Sequence, residues 1–322
     1  QGEWLLDQIA DLTAADVAAS DDITGHALLG GDWMLEYRHG DVATPLAFDA
    51  ARAAQWLGSL GSVEVTTHMD VADGDTSSVA ALQAAPGQDG LISLREAILA
   101  ANNTPNQGDP DVITFTLDSS HTIALQAALP TIDEALFIDG GSDSGPLGEP
   151  LVVLDGSNLS GGPQTGLVLT AGDSTVQSLI ITGFSGDGIR ITQADGNNIS
   201  GNWIGIASDG VTAAGNGGAG IAVDSAASNT IIGNAIAGNG GPGIALSGAS
   251  AQHNRVFGNT IGTTADGTGM LGNGTEGIWI YGGASNNTIG ATTDGDGNLI
   301  AGNMAAGVRI DLTSPCCGSS CL

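Results

Sequence analysis

The side chains that could do chemistry in the second half of this chain are few, and their spacing says more than their number. The acids there run from Asp155 to Asp311, and several stand directly before glycine, as in Asp187-Gly188, Asp209-Gly210, Asp266-Gly267 and Asp294-Gly295. Turn chemistry alone predicts such pairs. Acid–base cleavage of a glycosidic bond would instead need two carboxylates held close together on neighbouring elements. No Asp-Asp pair and no His-containing motif falls on a strand-like segment, and His253 lies in a loop-like stretch. The sequence therefore offers no catalytic residue. It offers no metal site either: the Gly-Gly-x-Gly-x-Asp calcium nonapeptide is absent, and no two spaced cysteine pairs exist to hold zinc. No cofactor is implied. What remains is a set of aligned outward positions, Arg190, Ala222, Ala245, Trp279 and Arg309 in one column and Trp203, Ala235 and Thr260 in another. A Trp beside an Arg on a flat strand face can stack a sugar ring and hold a carboxylate. Trp203, Trp279, Arg190 and Arg309 are the candidate ligand-binding residues.

Those columns exist because the chain repeats. A Gly-Ile-x-Ile element recurs at Gly188-Ile189-Arg190-Ile191, Gly220-Ile221-Ala222-Val223, Gly243-Ile244-Ala245-Leu246, Gly277-Ile278-Trp279-Ile280 and Gly307-Val308-Arg309-Ile310. An Asn-x-Ile-x-Gly-Asn-x-Ile element recurs at Asn197 to Ile204, Asn229 to Ile236 and Asn254 to Ile261, with a spread-out version from Asn287 to Asn303. Within each element apolar residues alternate with others, the period-2 signature of a strand with one buried face. No stretch from Leu151 to Leu312 carries a Gly-free 3.6-residue stripe, so helix is not expected there. The repeating glycines at 188, 220, 243, 277 and 307 stand 32, 23, 34 and 30 residues apart. The shortest spacing reads as one bare coil of a parallel β-helix, and the longer ones as a coil plus an inserted loop. The insertions are expected at 208–218 and 265–275. Glycine and asparagine punctuate the segments because both tolerate the left-handed backbone that a sharp turn needs.

The recurrent asparagines invite a binding role, yet they recur with the turns rather than clustering. Asn197, Asn229 and Asn254, and likewise Asn202, Asn234 and Asn259, are expected to form ladders of stacked amides that satisfy each other and the turn backbone.

Composition narrows the partners. Lysine is absent, and six arginines face 35 acidic residues, for a net charge of −29. Nucleic acid is excluded as a partner because neutralising phosphates needs a basic footprint; anionic membrane surfaces are disfavoured for the same reason. Acidity of this kind serves solubility, and can also attract divalent cations. No run approaches the eighteen apolar residues of a membrane span, and the start at Gln1 shows no signal peptide. Cys316, Cys317 and Cys321 stand together in the tail and cannot staple the repeats. The abrupt start and tail suggest a piece of something larger.

Ahead of the repeats, Trp4, Leu5, Leu6, Ile9 and Leu12 form a short helical stripe, 31–37 reads as a strand and 50–60 as an Ala-rich helix. The segments Ala-Asp-Val-Ala-Ala-Ser-Asp-Asp (15–22) and Gly-Gly-Asp-Trp-Met-Leu-Glu-Tyr (30–37) resemble the closing part of a domain of unknown function near the N-termini of very large bacterial surface proteins. A strand at Val63–Thr66 and an acidic loop precede Ser93-Leu94-Arg95-Glu96, which has the form of a capping box opening a helix. Strands follow at 111–115, 121–125 and 135–140. The stretch Ile92-Ser93-Leu94-Arg95-Glu96-Ala97-Ile98 is similar to the signature of the CSLREA-type module that opens many secreted bacterial β-helices, and Leu129-Pro130-Thr131-Ile132 before Ile138-Asp139-Gly140 is similar to its first coils. Ile92 stands where that family usually has Cys, so any role of the thiol is missing. Its helix would cap the open end of the solenoid, shielding apolar interior and free strand hydrogen bonds. Arg95 and Glu96 then belong to the cap rather than to a catalytic pair.

From about 61 to 313 the chain resembles right-handed parallel β-helix proteins, a fold that includes pectate lyases and polygalacturonases. The resemblance implies an all-β solenoid with an N-terminal capping helix, preceded by a small α+β remnant. Four segments are expected: the remnant at 1–60, cap and first coils at 61–150, repeats at 151–313 and an irregular tail at 314–322. The function expected is a non-enzymatic stalk or adhesin-like segment of a large bacterial protein, extracellular or at the cell surface, with polysaccharides or cell-surface glycans as candidate partners. The alternative is a polysaccharide lyase or glycoside hydrolase of the same fold.

Overall fold

A computed structural model describes residues 61–311 apart from 107, 118–119, 144–148 and 291–296, together with two short strands at Val17–Ala19 and Tyr37–His39. Those two strands pair antiparallel, with Ala18 opposite Arg38. The expected strand at 31–37 meets them only at Tyr37. The rest of that stretch, the helices expected at 4–12 and 50–60, and the cysteine tail lie outside the described residues.

From Ser62 onward the chain is a right-handed parallel β-helix of three sheets, and the alternation read from the sequence positions each strand. One turn of the coil takes Asn198–Ser200 into sheet 1, Trp203–Ile204 into sheet 2 and Ile221–Asp224 into sheet 3. The next turn repeats this with Thr230–Ile232, Ala235–Ile236 and Ile244–Ser247. A third does so with Arg255–Phe257, Thr260–Ile261 and Ile278–Tyr281. Register is kept residue for residue. Ile189, Ile221, Ile244, Ile278 and Val308 align in sheet 3, and Ile199, Ile231, Val256 and Ile289 in sheet 1. Like apolar side chains thus stack on like, and one continuous core runs from Val63 to Ile280. A one-residue slip would turn every isoleucine outward, so the pattern fixes the register strongly.

The turns follow two physical rules. Between sheets 1 and 2 the same position is held by Ser178, Gly201, Gly233 and Gly258 with φ of 56°, 64°, 66° and 66°, left-handed values that favour glycine. The glycine of Gly-Ile-x-Ile has another cause. A Cβ on Gly243 would lie 2.7 Å from both the Gly277 carbonyl oxygen and Ile261 Cγ2. Close approach of successive coils, rather than a sharp turn, requires glycine there.

The asparagine ladders form as expected, and there are three rather than two. Asn197, Asn229, Asn254 and Asn287 stack before sheet 1, and Asn202, Asn234, Asn259 and Asn298 between sheets 1 and 2. The third, beyond the two expected, is Asn216, Asn239, Asn273 and Asn303 between sheets 2 and 3, each four residues before the glycine of Gly-Ile-x-Ile. In each step one Oδ1 accepts from both the backbone N–H and the side-chain Nδ2–H of the asparagine one coil earlier, as Asn234 does from Asn202 at 3.0 Å each. The spare Nδ2–H donates to a carbonyl, as from Asn234 to Ile199. Buried amides are fully satisfied in this way, which is the condition for burying them at all.

At the N-terminal end a helix at Leu94–Asn102 closes the first coil, with a second helix at Val79–Ala84 where an acidic loop was expected. The capping box is present: Ser93 Oγ accepts from the Glu96 N–H, and Glu96 Oε2 from the Ser93 N–H. Glu96 Oε1 also accepts from the backbone N–H groups of Asp73 and Gly74 at 2.8 Å. Arg95 makes a two-pronged pair with Asp70 and donates to the carbonyls of Ala127 and Ala128. Both side chains thus organise the cap.

Candidate functional site

The outward column of sheet 3 is laid out by its register: Arg190 beside Ala222, Ala222 beside Ala245, Ala245 beside Trp279, and Trp279 beside Arg309. Because side chains alternate, a second outward column runs two residues further along each strand. It reads Thr192, Asp224, Ser247 and Tyr281. Continuing the period-2 pattern past Gly-Ile-x-Ile would have found it, and with it Asp224 and Tyr281.

Together the columns shape a shallow trough of about 190 Å³, lined among others by Asp187, Arg190, Ala222, Asp224, Trp279 and Tyr281. Its floor is small because Ala222 and Ala245 carry nothing beyond Cβ, and Tyr281 packs against that alanine patch. The Trp279 and Tyr281 rings stack with centroids 4.1 Å apart and planes 26° from parallel. The trough spans three coil steps from Arg190 to Trp279, about 14 Å at ~4.8 Å per coil.

The arginines are already engaged. Arg190 pairs with Asp187, whose other oxygen accepts from the Ala219 N–H. The Arg309 guanidinium lies 5.1 Å from the centre of the Trp279 ring, donates to Asp311 at 3.0 Å and to Glu276 at 3.1 Å. Asp311 also accepts from the Trp279 indole N–H at 2.9 Å. Burial pushes the Glu276 carboxyl upward, but hydrogen bonds from Arg309 and from its own backbone N–H outweigh it and hold it below the usual range. The indole N–H first and Arg309 second lower Asp311. Bonds to Glu276 and Asp311 raise Arg309. Arg309 is thus held by two carboxylates and Arg190 by one, so each guanidinium already has a counter-charge within the protein.

Trp203 faces away on sheet 2, in a separate hollow of about 330 Å³ with Glu149, Asp209, Val211, Ala265 and Asp266. The two inserted loops make this hollow. Each is a small hairpin, closed by Ile206 opposite Ala213 and Thr263 opposite Met270. The coil between them has no insertion, so the hairpins meet across it and Ala265 N–H donates to the Gly210 carbonyl at 2.8 Å. Asp209 is lowered first by the Thr212 side chain and then by backbone N–H groups of Val211 and Thr212. Asp266 is lowered in the same way by Thr264 and Thr268. These carboxylates fold their own loops. Among the described residues no group of three or more His, Cys, Asp or Glu side chains has the geometry of a metal site, and no helix is long and apolar enough to cross a membrane.

With this geometry in view, comparison with known families is decisive for the fold. Residues 135–316 match the right handed beta helix region family. The chain belongs to that family. Residues 1–60 match a domain of unknown function, DUF4347, which agrees with the resemblance read from residues 15–37 and suggests that the β-helix is part of a larger chain. Comparison with curated proteins gives no match. Within the right-handed β-helix family, this chain is thus a structural β-helix segment whose surface detail must come from its own side chains.

Proposed function

We propose that this β-helix segment is a non-enzymatic stalk and adhesive surface of a large bacterial protein displayed outside the cell, contacting glycans along the outward face of sheet 3. The observation that carries this reading is how the repeat carboxylates are used. Asp187, Asp195, Asp209, Asp266, Glu276 and Asp311 each hold a turn, a loop or an arginine, whereas a general acid or base must be aimed at a substrate. The cap, with its likeness to modules that open secreted β-helices, and the N-terminal DUF4347 match support display outside the cell.

The test is to pass the purified chain over a polysaccharide panel while scoring retention and product release. Retention without products is the expected result. New reducing or unsaturated ends would overturn the non-enzymatic reading in favour of a lyase or glycosidase, and no retention on any polysaccharide would remove the glycan contact.

A further inference from the structure

We infer that the sheet 3 trough selects a glycan bearing protonated amines, an amino-sugar oligomer, over a neutral or uronic-acid one. The inference rests on the glycan-contact reading above and sharpens it by ligand charge. It starts from what the trough lacks. Lysine is absent from the chain, and the two arginines on this face are both paired with carboxylates of the protein. No free cation is left on this face among the described residues to receive a uronate. A polyanion would approach four carboxylates, Asp187, Asp224, Glu276 and Asp311, against two arginines, on a chain of net charge −29.

What the trough holds fits the opposite charge. Asp224 lies on its lining, half-buried, and uses Oδ1 for the hydroxyls of Ser225 and Ser247 at 3.1 and 3.4 Å. Its Oδ2 makes no hydrogen bond among the described residues. Two register steps along, Tyr281 packs on the alanine patch and stacks with Trp279, which Arg309 also covers, so the pair lines the trough as a rigid aromatic wall. A carboxylate oxygen with an unused lone pair on the lining of a trough can accept a charge-assisted hydrogen bond from an ammonium group. The trough between Arg190 and Tyr281 has room for a sugar ring, whose C–H groups can lie against the aromatic edges that line it. The acidic surface beyond the trough would draw a cationic chain in and make the association sensitive to salt.

Long-range attraction alone would bind any polycation, so the experiment must isolate the trough. The whole chain is titrated with glucosamine oligosaccharides at mildly acidic pH, with their N-acetylated counterparts, with galacturonate oligosaccharides and with oligolysine. Three variants are compared: Asp224→Asn, Trp279→Ala and, as a charge-matched control, the exposed Asp133→Asn. The expected result is binding of the glucosamine oligomer that weakens about tenfold in Asp224→Asn and Trp279→Ala but not in Asp133→Asn. The acetylated oligomer binds more weakly and the uronate does not bind. Asp224→Asn changes shape little, so its thermal melt should match the parent even if Trp279→Ala is destabilised.

Equal binding of acetylated and free amino sugars would overturn the charge selectivity while leaving the glycan contact standing. Weakening by Asp133→Asn as large as by Asp224→Asn would reduce the effect to bulk charge and overturn the trough. Tighter binding of oligolysine than of any sugar would make the partner a basic polypeptide. Binding of no sugar at all would overturn this inference and the glycan contact together.

Discussion

Ile280 and Ile310 occupy the same place in consecutive coils of sheet 3 and point to the same interior, yet the first is 6% exposed and the second 59%. At the other end of the stack Val63 and Val65 are fully buried, because the helix at Leu94–Asn102 lies over the first coil and adds Leu94, Ala97 and Ile98 to the core. The two ends are built from the same kind of residue, but among the described residues only the first coil has an element packed over it. The comparison teaches that burial in a solenoid is conferred by the neighbouring coil and not by the residue. The ladders say the same. Asn234 has a partner on each side, whereas Asn287, Asn298 and Asn303 accept from the coil before them and donate only to carbonyls, each being the last rung of its ladder among the described residues.

Substitutions can break this contrast, the strongest in the middle of the stack. Ile231→Ala is expected to destabilise by about 3–4 kcal/mol, because a cavity opens in a site with neighbours on both sides, while Ile310→Ala costs under about 1 kcal/mol. Urea unfolding of the two variants checks the difference; equal losses would mean that the last coil is covered in solution. Asn234→Ala comes next. It removes the acceptor for Asn202 N–H and Nδ2–H and the donor to Ile199, an expected loss of about 3 kcal/mol, against about 1 kcal/mol for the half-exposed Asn298→Ala. Thermal melts of the pair would show whether ladder energy follows burial.

At the capped end the expected effect is smaller. Ser93→Ala deletes the N-cap acceptor for about 1 kcal/mol. Hydrogen exchange should then rise first at 94–102 and leave the middle coils protected; a uniform rise would mean that cap and coils open as one unit. Smallest is the response of the Trp279 cluster to acid. The folded values of Glu276 and Asp311 lie below their ordinary 4.5 and 3.8. Their contribution is therefore complete above the ordinary range and is lost as pH falls through the lowered values. The fluorescence that distinguishes the parent from Trp279→Phe should stay constant from neutral pH down to the ordinary carboxylate range and change only below it. A change near neutrality would contradict the assigned bonds.

Much of this architecture was legible in the order of residues. Isoleucine at alternating positions, recurring at the 23-residue coil, fixed strand, face and register, because any other register exposes the whole apolar set. Asn197 and Asn202, recurring beside the turns, announced two ladders, and Ser93 with Glu96 announced the cap. The third ladder was harder to see. Asn216, Asn239, Asn273 and Asn303 stand 23, 34 and 30 residues apart because of the insertions, and their constant spacing shows only when they are counted back four residues from the glycine of each Gly-Ile-x-Ile. The helix at Val79–Ala84 is only six residues long and lacks a stripe strong enough to stand out from its acidic surroundings.

The sequence alone determined which side chains point outward, since a period of two leaves no choice once the isoleucines are buried. What those side chains could do was decided by tertiary structure. Stacking brought Arg309 from one coil onto Trp279 and Glu276 of the coil before it. It set Asp187 against Arg190, and let the hairpins at 206–213 and 263–270 meet over the bare coil between them. These partners lie 30 or more residues apart, or share a strand end whose side-chain direction only the fold defines. A free arginine and a paired one are the same letter in a sequence. The difference between them is a carboxylate that the fold brings alongside, and for Arg309 one of the two, Glu276, lies a coil away.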